Sequence, residues 1–397
     1  MKKVVIIAGF LMSAVLVNAQ NYYQCLTNPE TLYSSEYQVS LRKEIVLPQV
    51  NGYNIYKADL HTHTIFSDGQ VSSSFRVNEA WLDGLDVMAV TEHIEYRSFE
   101  DTFVKYTKNY HGGKYEKALN NRIDGNPTCT EEGIIVDLNY AVRESQNAAK
   151  NKGILIIPGA EVTRNGRTVG HFNALFTTDN NLIFHPDPVQ AIRNAKAQGA
   201  LIMHNHPGWR RTNLDFTDTE RTLYEEGLID GVEVANFYQF YPAIVDRARE
   251  RNLFIAANTD VHGATSIDHG RSGFDRPMTL IFAKEKSLEA IREALEARRT
   301  LAYAFGSISG DEQLLKDLFA ASVELTVNRV GTQNVYITMT NKSSLTYVIR
   351  RGSGDQVRLA PFHSMHFSMP KTNETVDFTI LNMYCSKDGH PVVSLTY

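Results

Sequence analysis

The sequence predicts an α/β fold, in which a (β/α) barrel is followed by a small antiparallel β-sandwich domain. From Tyr56 to about residue 306, short apolar runs alternate with amphipathic stretches, which is the pattern of repeated βαβ units. About seven such units favour a closed barrel, although an open sheet has the same local pattern. After about Leu318, alternating and β-branched segments separated by turn residues indicate antiparallel strands.

Individual elements follow from these patterns. In the barrel region the predicted strands are Tyr56–Leu60, Asp86–Val90, Ile154–Pro158, His171–Phe176, Ala200–Met203, Gly231–Ala235, Leu253–Ala257 and Met278–Phe282. The predicted helices are Val77–Leu82, Leu138–Lys150, Pro188–Lys196, Thr219–Leu228, Ala243–Arg251 and Ser287–Ala297. The strands predicted for the C-terminal region are Val323–Val327, Asn334–Thr340, Thr346–Arg350, Ser364–Met369, Thr375–Asn382 and Val392–Tyr397.

The N-terminus has the pattern of a secretory signal peptide. Two lysines precede an apolar run, and Val17–Ala19 ends in the small residue that a signal peptidase requires. A retained anchor is the alternative, but no later apolar stretch is long enough to span a membrane. The mature chain is therefore expected to be periplasmic or secreted. The predicted boundaries are 1–19 for the signal peptide, 20–55 for an N-terminal extension, 56–318 for the barrel and 319–397 for the β-sandwich.

The composition argues against several classes of protein. Hydrophobic residues make up 43% and charged residues 21% of the 397 residues, which is typical of a globular protein. The formal net charge of −5 argues against a nucleic-acid-binding surface, which needs a concentration of lysine and arginine. Three cysteines without a CxxC motif form neither a disulfide framework nor a thiolate zinc site. The 13 histidines are the unusual feature, and their placement decides their role.

Histidines and carboxylates stand at the ends of the predicted strands. The motifs are DLHTH at 59–63, SDG at 67–69, TEH at 91–93, PGAE at 158–161, GHF at 170–172, HNHP at 204–207 and NTDVH at 258–262. One HxH motif is weak, because chance supplies on the order of half of one in such a chain. Repetition at the same end of several strands is more specific, because those ends meet on one face of a barrel. The sequence therefore predicts a joint metal site.

The spacing and the residue types indicate which ions this site would hold. Residues i and i+2 of a strand face the same side, so His61 and His63, and likewise Asp260 and His262, can point into one cavity. Imidazole and carboxylate ligands without thiolate suit zinc, manganese or iron. Three carboxylates beside three divalent ions would leave a positive site, which attracts phosphate and promotes deprotonation of water.

Taken together, these motifs resemble the polymerase and histidinol phosphatase (PHP) family. DLHTHTIFSDG at 59–69, TEH, PGAE, the HP at 206–207 and DVH at 260–262 occur in that family's order, over about residues 56 to 306. The resemblance implies a distorted (β/α)7 TIM-like barrel with two or three divalent metal ions. It also implies hydrolysis of a small phosphorylated substrate, in which a metal-bridged hydroxide attacks phosphorus.

The resemblance further implies a set of metal ligands. His61, His63, Glu161 and Asp260 would bind one ion, Glu161, His171 and His206 a second, and Asp68, His93 and His262 a third. His204 competes with His206, which is preferred because Pro207 follows it. Glu161, Asp260 and His262 are the predicted catalytic residues.

Arginine is expected to recognise the phosphate, because its planar guanidinium matches two phosphate oxygens. Arg210, Arg211 and Arg271 follow two of the metal motifs and are the predicted substrate ligands, with Arg164 and Arg167 as further candidates. Each one alone has the alternative of being an ordinary surface charge. At least one of them is expected to point into the pocket.

Two other functions stay open at this point. An amidohydrolase-like enzyme that cleaves C–N bonds also starts with HxH, but it commonly bridges two metals with a carboxylated lysine, and this chain has Glu161 at that position. A non-catalytic exported protein could bind metals or other ligands without turnover. The insertion at 95–139 and the β-domain lie outside the family core, so the substrate and the oligomeric state are left undetermined.

The β-domain contains three histidines that are not expected to bind metal. His363 and His366 are three residues apart and would not share a strand face. His390 follows a turn sequence. The domain is therefore predicted to brace the barrel, to cover part of its outer wall or to bind a partner.

Overall fold

The structure is a computed structural model that describes residues 41–97, 129–130, 133–134, 136–270 and 273–397. Arg42–Tyr397 form one compact unit. The predicted signal peptide, most of the N-terminal extension, most of the 95–139 insertion and Arg271 lie outside the described residues. Among the helices that are described, none is both long and apolar enough to cross a membrane.

A curled sheet of twelve strands forms the barrel. The strands up to residue 310 are β1 (Asn54–Asp59), β2 (Val87–Val90), β3 (Cys129–Thr130), β4 (Gly133–Ile134), β5 (Leu155–Thr163), β6 (His171–Leu175), β7 (Leu201–His204), β8 (Gly231–Asn236), β9 (Gln239–Phe240), β10 (Phe254–Asn258), β11 (Met278–Ala283), β12 (Thr300–Ala304) and β13 (Ser307–Gly310). The small β3–β4 hairpin is separate from this sheet. All eight strands predicted for the barrel are present, whereas β3, β4, β9, β12 and β13 were not predicted.

The strand order is β10-β8-β7-β6-β5-β2-β1-β11-β12-β13, with β9 paired to β8. The prediction of parallel βαβ units holds for β1, β2 and β5 and for β7, β8 and β10. It is wrong for β6, which is antiparallel to both of its neighbours, and for β11, which is antiparallel to β1. The reason at β6 is local: residues 164–170 form a short loop in place of a crossover helix, so the chain turns back.

The open side of the sheet closes without a continuous strand ladder. Beyond the ends of β1 and β10, the backbone N–H of Asp260 donates to the carbonyl oxygen of His61 at 3.0 Å, and side chains make the other contacts. The backbone N–H of Ala257 in β10 donates to Oγ1 of Thr279 in β11 at 3.1 Å, and that of Ile255 donates to Oγ1 of Thr300 in β12 at 3.2 Å. Every residue of β2, β8, β10 and β11 is buried, as expected for strands covered on both faces. These features confirm the predicted distorted barrel.

Helices cover the outside of this sheet. They are α1 (Ser73–Leu82), α2 (Tyr140–Ala149), α3 (Pro188–Ala197), α4 (Asp218–Glu225), α5 (Pro242–Glu250), α6 (Thr265–Asp268), α7 (Leu288–Glu296) and α8 (Glu312–Ser322). The six predicted helices are all among them. α1 begins earlier than predicted, because the Ser72 side chain accepts the backbone N–H of Phe75 and caps the helix. α4 begins with a capping box between Thr217 and Glu220.

The C-terminal region forms two antiparallel sheets, as predicted. Its strands are β14 (Val323–Val330), β15 (Asn334–Asn341), β16 (Tyr347–Arg350), β17 (Gln356–Leu359), β18 (Ser364–Pro370), β19 (Thr375–Ile380), β20 (Met383–Tyr384) and β21 (Val392–Thr396). One sheet has the order β14-β15-β18 and the other β17-β16-β19-β21. Phe367 and Phe378 meet edge to face between them, with ring centroids 5.6 Å apart. β20 instead joins the barrel sheet beside β13.

Candidate metal centre

Strand ends bring the nine predicted ligands to one place. β1 continues into His61 and His63, β2 is followed by His93, and Glu161 lies within β5; His171 opens β6, His206 follows β7, Asp260 and His262 follow β10, and Asp68 lies in the loop after β1. Because β6 is antiparallel to β5, its first residue lies at the same end of the barrel, where His171 pairs with Thr163. The reversed strand thus places His171 beside the other ligands.

A first group forms around one oxygen of Asp260. Its Oδ1 lies 3.2 Å from Nε2 of His61 and 3.1 Å from Nε2 of His63. Both of these nitrogens also lie 3.6 Å from Oε2 of Glu161. This arrangement matches the set predicted for the first ion.

A second group surrounds Asp68. Its Oδ1 lies 3.2 Å from Nε2 of His93 and 3.1 Å from Nε2 of His262. The His63 ring stacks on both imidazoles, with ring centroids 4.3 Å from that of His93 and 4.4 Å from that of His262. His63 can therefore join this group as well, which the sequence did not indicate.

A third group lies on the other oxygen of Glu161. Its Oε1 is 3.2 Å from Nδ1 of His171 and 3.8 Å from Nε2 of His206. Nε2 of His171 lies 2.8 Å from the carbonyl oxygen of Arg164. When that nitrogen donates to the carbonyl, Nδ1 is left with its lone pair toward Glu161 and can bind a metal.

His204 is turned away from this cluster. Its Nε2 lies 2.8 Å from Glu220, and its Nδ1 lies 3.0 Å from the hydroxyl of Tyr224. The contacts therefore favour His206 over His204 as the residue of the HNHP motif that faces the cluster.

The donor atoms fit divalent metal ions. Five buried atoms of the cluster make no hydrogen bond within the described part of the chain: Nε2 of His61, both ring nitrogens of His63, Oδ1 of Asp68 and Oε2 of Glu161. Three sets have ligand atoms within 4.8 Å of one another: His63, Asp68, His93 and His262; His61, Glu161 and His206; and His61, His63 and Asp260. Buried polar atoms without partners are costly, and ions bound by these imidazoles and carboxylates would satisfy them.

Burial and the close contacts between imidazoles and carboxylates also shift the pKa values of the cluster. Burial alone would lower the pKa values of His61 and His93, but the neighbouring carboxylates together outweigh burial and raise both well above the ordinary value: Asp260, Glu233 and Glu161 act on His61, and Asp68 and Glu161 act on His93. The same contacts hold the pKa values of the two aspartates far below their usual range, although burial opposes this. Burial and two neighbouring imidazoles lower the pKa of His63 to about 3.

Glu233 in β8 supports the cluster and was not predicted. This fully buried carboxylate lies 3.0 Å from Nδ1 of His61 and accepts the backbone N–H of His206 at 2.7 Å. It also accepts from the side-chain amides of Asn236 and Asn258, each at 2.9 Å. The sequence did contain a sign of this role, because GVEVAN places one carboxylate in an otherwise apolar strand.

Arg76 in α1 is a second residue that sequence reasoning missed. Its guanidinium is fully buried and donates to the carbonyl oxygens of His63 at 2.9 Å and of Val261 and His262, both at 3.1 Å. Glu79 pairs with it. A single cation thus joins the backbone of the HxH motif to that of the DVH motif.

Two residues of the cluster have a strained backbone conformation. His206 has φ 25° and Asp260 has φ 53°, values that residues other than glycine seldom adopt. Gly69 of the SDG motif needs glycine for a different reason, because a Cβ there would lie 2.6 Å from the backbone nitrogen of Thr64. Strain held at a cluster of polar residues is typical of functional sites.

A cavity of about 1280 Å³ opens over the cluster, with Asp68, His93, Asp260 and His262 in its lining. Arg164, Arg167 and Arg210 also line it. Arg210 lies over the Trp209 ring, with its guanidinium carbon 4.3 Å from the ring centroid. Three of the five candidate arginines therefore belong to the lining of this cavity.

Arg211 has a different environment from the one predicted. Both of its terminal nitrogens donate to Glu220, at 2.6 and 2.8 Å, and its Nε donates to the carbonyl oxygen of Gly166. It is not among the residues that line the cavity. These contacts give Arg211 a structural role in place of substrate binding.

The histidines of the β-domain make contacts within that domain. His363 lies 2.8 Å from the carbonyl oxygen of Pro361, and His366 lies 2.8 Å from Oγ1 of Thr338. Within the described residues, neither they nor His390 belong to a group with metal-binding geometry.

The family model of the PHP domain matches residues 59–344 of this chain. The chain belongs to the PHP family. This PHP protein is similar to a solved structure from Bacteroides vulgatus, a two-domain protein containing a predicted PHP-like metal-dependent phosphoesterase. The two chains are 31% identical with a TM-score of 0.76, and the match covers 90% of this chain and 99% of the other. No curated protein gave a match.

Two further structures share less with this PHP protein. A candidate metal-dependent phosphoesterase from Bifidobacterium adolescentis is 15% identical with a TM-score of 0.35, over 52% of this chain and 88% of that one. An amidohydrolase from Chromobacterium violaceum is 15% identical with a TM-score of 0.32, over 52% and 87%. Family membership and the His/Asp/Glu clusters together support a metal-dependent hydrolase.

Proposed function

We propose that this PHP protein hydrolyses phosphoesters with a centre of two or three divalent ions. The observation that carries the proposal is the juxtaposition of the metal-binding groups with a cavity whose lining contains six of the predicted ligands together with arginine side chains. Metals bound there would lower the pKa of water and neutralise charge on the phosphate oxygens. Zinc, manganese and iron all suit the donor set.

Different residues of the site have different roles in the proposed reaction. Glu161 and Asp260 lie close to ligand nitrogens on both sides of the cluster, so they would hold the ions together with these imidazoles. His262 is 34% exposed in its side chain and stands at the cavity edge, where a leaving group would depart. Arg167 and Arg210 supply the positive charge that binds the non-bridging phosphate oxygens and orients the ester, whereas Arg164 pairs with the buried Glu95 at 3.2 Å and shapes the cavity wall.

Phosphate release from aryl phosphates by the manganese- or zinc-loaded protein tests this proposal. Asp260→Ala is expected to abolish release, because it removes a carboxylate shared by two histidines. Asp355→Ala, at an exposed aspartate of the β-domain, is the control and should keep full activity. Release by the wild type that does not exceed that of Asp260→Ala would sink the proposal. Turnover of amides without any action on phosphoesters would favour the amidohydrolase alternative.

A further inference from the structure

Asp68 is held in the fold differently from the other predicted ligands. The other eight lie in strands of the barrel sheet or within four residues of a strand end, whereas Asp68 lies in a turn at residues 65–68. The hydrogen bonds of a sheet fix the direction of a strand, but a turn depends on contacts of its own. The position of Asp68 therefore depends on what holds this turn.

The backbone closes the turn tightly. The carbonyl oxygen of Thr64 accepts the N–H groups of Ser67 at 3.1 Å and of Gly69 at 2.9 Å. Just beyond the turn, the N–H of Gln70 donates to the carbonyl oxygen of His262 at 2.7 Å. The turn is thus a compact unit, and whatever binds Thr64 and Ser67 fixes the whole of it.

The side chain that binds them is Glu92, the residue of the TEH motif that is not a predicted ligand. Glu92 is 5% exposed, and its carboxylate accepts three hydrogen bonds from the turn: from the backbone N–H of Thr64 at 3.2 Å and from the hydroxyls of Thr64 and Ser67. Both of these residues are fully buried. A buried carboxylate is costly without donors, so the carboxylate and the turn hold each other in place.

Glu92 also connects the turn to the neighbouring strands. Its carbonyl oxygen accepts the backbone N–H of Glu161 at 3.0 Å, and the residue after it is His93. Nε2 of His93 lies 3.2 Å from Oδ1 of Asp68. Glu92 therefore holds two members of one metal-binding group, one through its side chain and the other through its backbone. This Asp68 group consists of His63, Asp68, His93 and His262.

We propose that Glu92 is a positioning residue for the Asp68 group and determines the affinity of the one ion bound there. The set formed by His61, Glu161 and His206 contains no residue of the turn, so it should keep its ion when the turn is disturbed. The inference rests on the metal centre of the proposed function and specifies which ion depends on the turn.

Removal of the carboxylate should weaken the binding of one ion alone. In chelator-competition titrations with zinc, we expect Glu92→Ala to bind one ion about 10- to 100-fold more weakly and the remaining ions as tightly as the wild type. Ser322→Ala is the control for a general loss of stability, because Ser322 is fully buried and accepts the hydroxyl of Tyr347. The control should keep every ion. Equal weakening of all ions in Glu92→Ala, or of none, overturns the proposal.

Double variants identify the ion that is affected. Asp68→Ala removes a ligand of the Asp68 group, so adding Glu92→Ala to it should cause no further loss of zinc affinity. The losses from His206→Ala and Glu92→Ala should instead add, because the two residues serve different sets. Additive losses with Asp68→Ala, or an Asp68→Ala variant that keeps every ion, contradict the proposal.

A matched pair at Thr64 tests the same contact from the side of the turn, and it applies even if Glu92→Ala does not fold. Thr64→Val keeps the shape of the side chain but loses the hydroxyl that binds Glu92, whereas Thr64→Ser keeps the hydroxyl. We expect Thr64→Val to bind the same ion about tenfold more weakly and Thr64→Ser to bind it like the wild type. Equal affinities in the two variants overturn the proposal.

Zinc titration requires no turnover, so failure of this inference differs from failure of the proposed function. If zinc binds but no phosphoester is hydrolysed, the proposed function fails, and the titrations still decide the role of Glu92. If phosphoesters are hydrolysed and Glu92→Ala binds every ion like the wild type, the role of Glu92 is wrong and the proposed function stands. A wild type that binds no zinc overturns both.

Discussion

The carboxylate of Glu233 lies 3.0 Å from Nδ1 of His61, and its other oxygen accepts the backbone N–H of His206. One buried group therefore orients two predicted ligands that lie on different strands. It also favours the form of His61 in which Nδ1 carries the proton and Nε2 faces Asp260 and Glu161.

Replacing Glu233 by glutamine should weaken metal binding. The amide keeps the shape of the side chain but loses the charge that makes His61 a stronger ligand, so we expect at least a tenfold loss of affinity. A chelator-competition titration with zinc measures it. Glu226→Gln, which breaks an exposed ion pair with Arg193, is the control. Unchanged zinc affinity in Glu233→Gln would show that the contact with His61 is dispensable.

Metal affinity should rise with pH across the neutral range. Asp260 and Asp68 raise the pKa values of His61 and His93 against the effect of burial, so both imidazoles keep protons to a higher pH than usual. Ligation requires neutral imidazole, and each displaced proton makes affinity rise about tenfold per pH unit until the pH passes the raised pKa values. Calorimetry in buffers of different ionisation enthalpy counts the protons released. Binding that releases no protons contradicts the expectation.

Glu220 should stabilise the fold in a pH-dependent way. Burial alone would raise its pKa, but His204 and Arg211 outweigh this and lower it to about 2. The stabilisation is present above the ordinary value of 4.5 and is lost as the pH falls toward 2. At neutral pH, Glu220→Gln is expected to cost about 2 kcal/mol in free energy of unfolding. Urea denaturation measures this difference, which should shrink in acid; a constant difference contradicts the argument.

Replacing Arg210 should affect substrate binding, whereas replacing Arg211 should affect stability. Arg210 lines the cavity, so Arg210→Ala is expected to raise KM for a phosphoester about tenfold with little effect on stability. Arg211 is bound to Glu220, so Arg211→Ala should mainly lower the melting temperature. Steady-state kinetics and thermal melts of both variants decide the matter. The assignment is wrong if the two effects are exchanged.

A chain that ends at Ser322 should fail to stay soluble. Met383 and Tyr384 pair with Ile308 and Ser309, so removal of the β-domain exposes an edge of the barrel sheet. Size-exclusion chromatography of the shortened chain is expected to show aggregates. A folded monomer with full metal content would make the β-domain an independent module, and a folded monomer lacking one metal would place a ligand in the β-domain.

The elements and the cluster could be predicted because their patterns are local. His61 and His63 are two residues apart, and the strand period alone gives them one direction. Glu233 could not be found in this way, because its partner His61 is 172 residues away in the chain. Its charge inside an apolar strand was the sign that it needed such a partner.

The sequence patterns also did not predict the direction of β6 or the different environments of Arg210 and Arg211. An apolar run reads the same in either direction, so nothing in His171–Leu175 distinguishes a parallel strand from the antiparallel one observed. Arg210 and Arg211 are adjacent and chemically identical, and their separation into cavity and structural positions depends on Glu220 in α4. Such contacts exist only after the barrel has closed.

The left-handed backbone of His206 and Asp260 has a consequence for how such proteins lose their chemistry during evolution. Each conformation costs on the order of 1–3 kcal/mol in folding free energy. Selection for activity would preserve these conformations despite this cost. In a lineage that no longer uses the ions, glycine or asparagine at either position relieves the strain and makes the fold more stable. We therefore expect homologues that have lost activity to acquire substitutions at positions 206 and 260 early, while the residues of the barrel core are still unchanged. Those two positions would then distinguish inactive homologues from working enzymes in a sequence alignment.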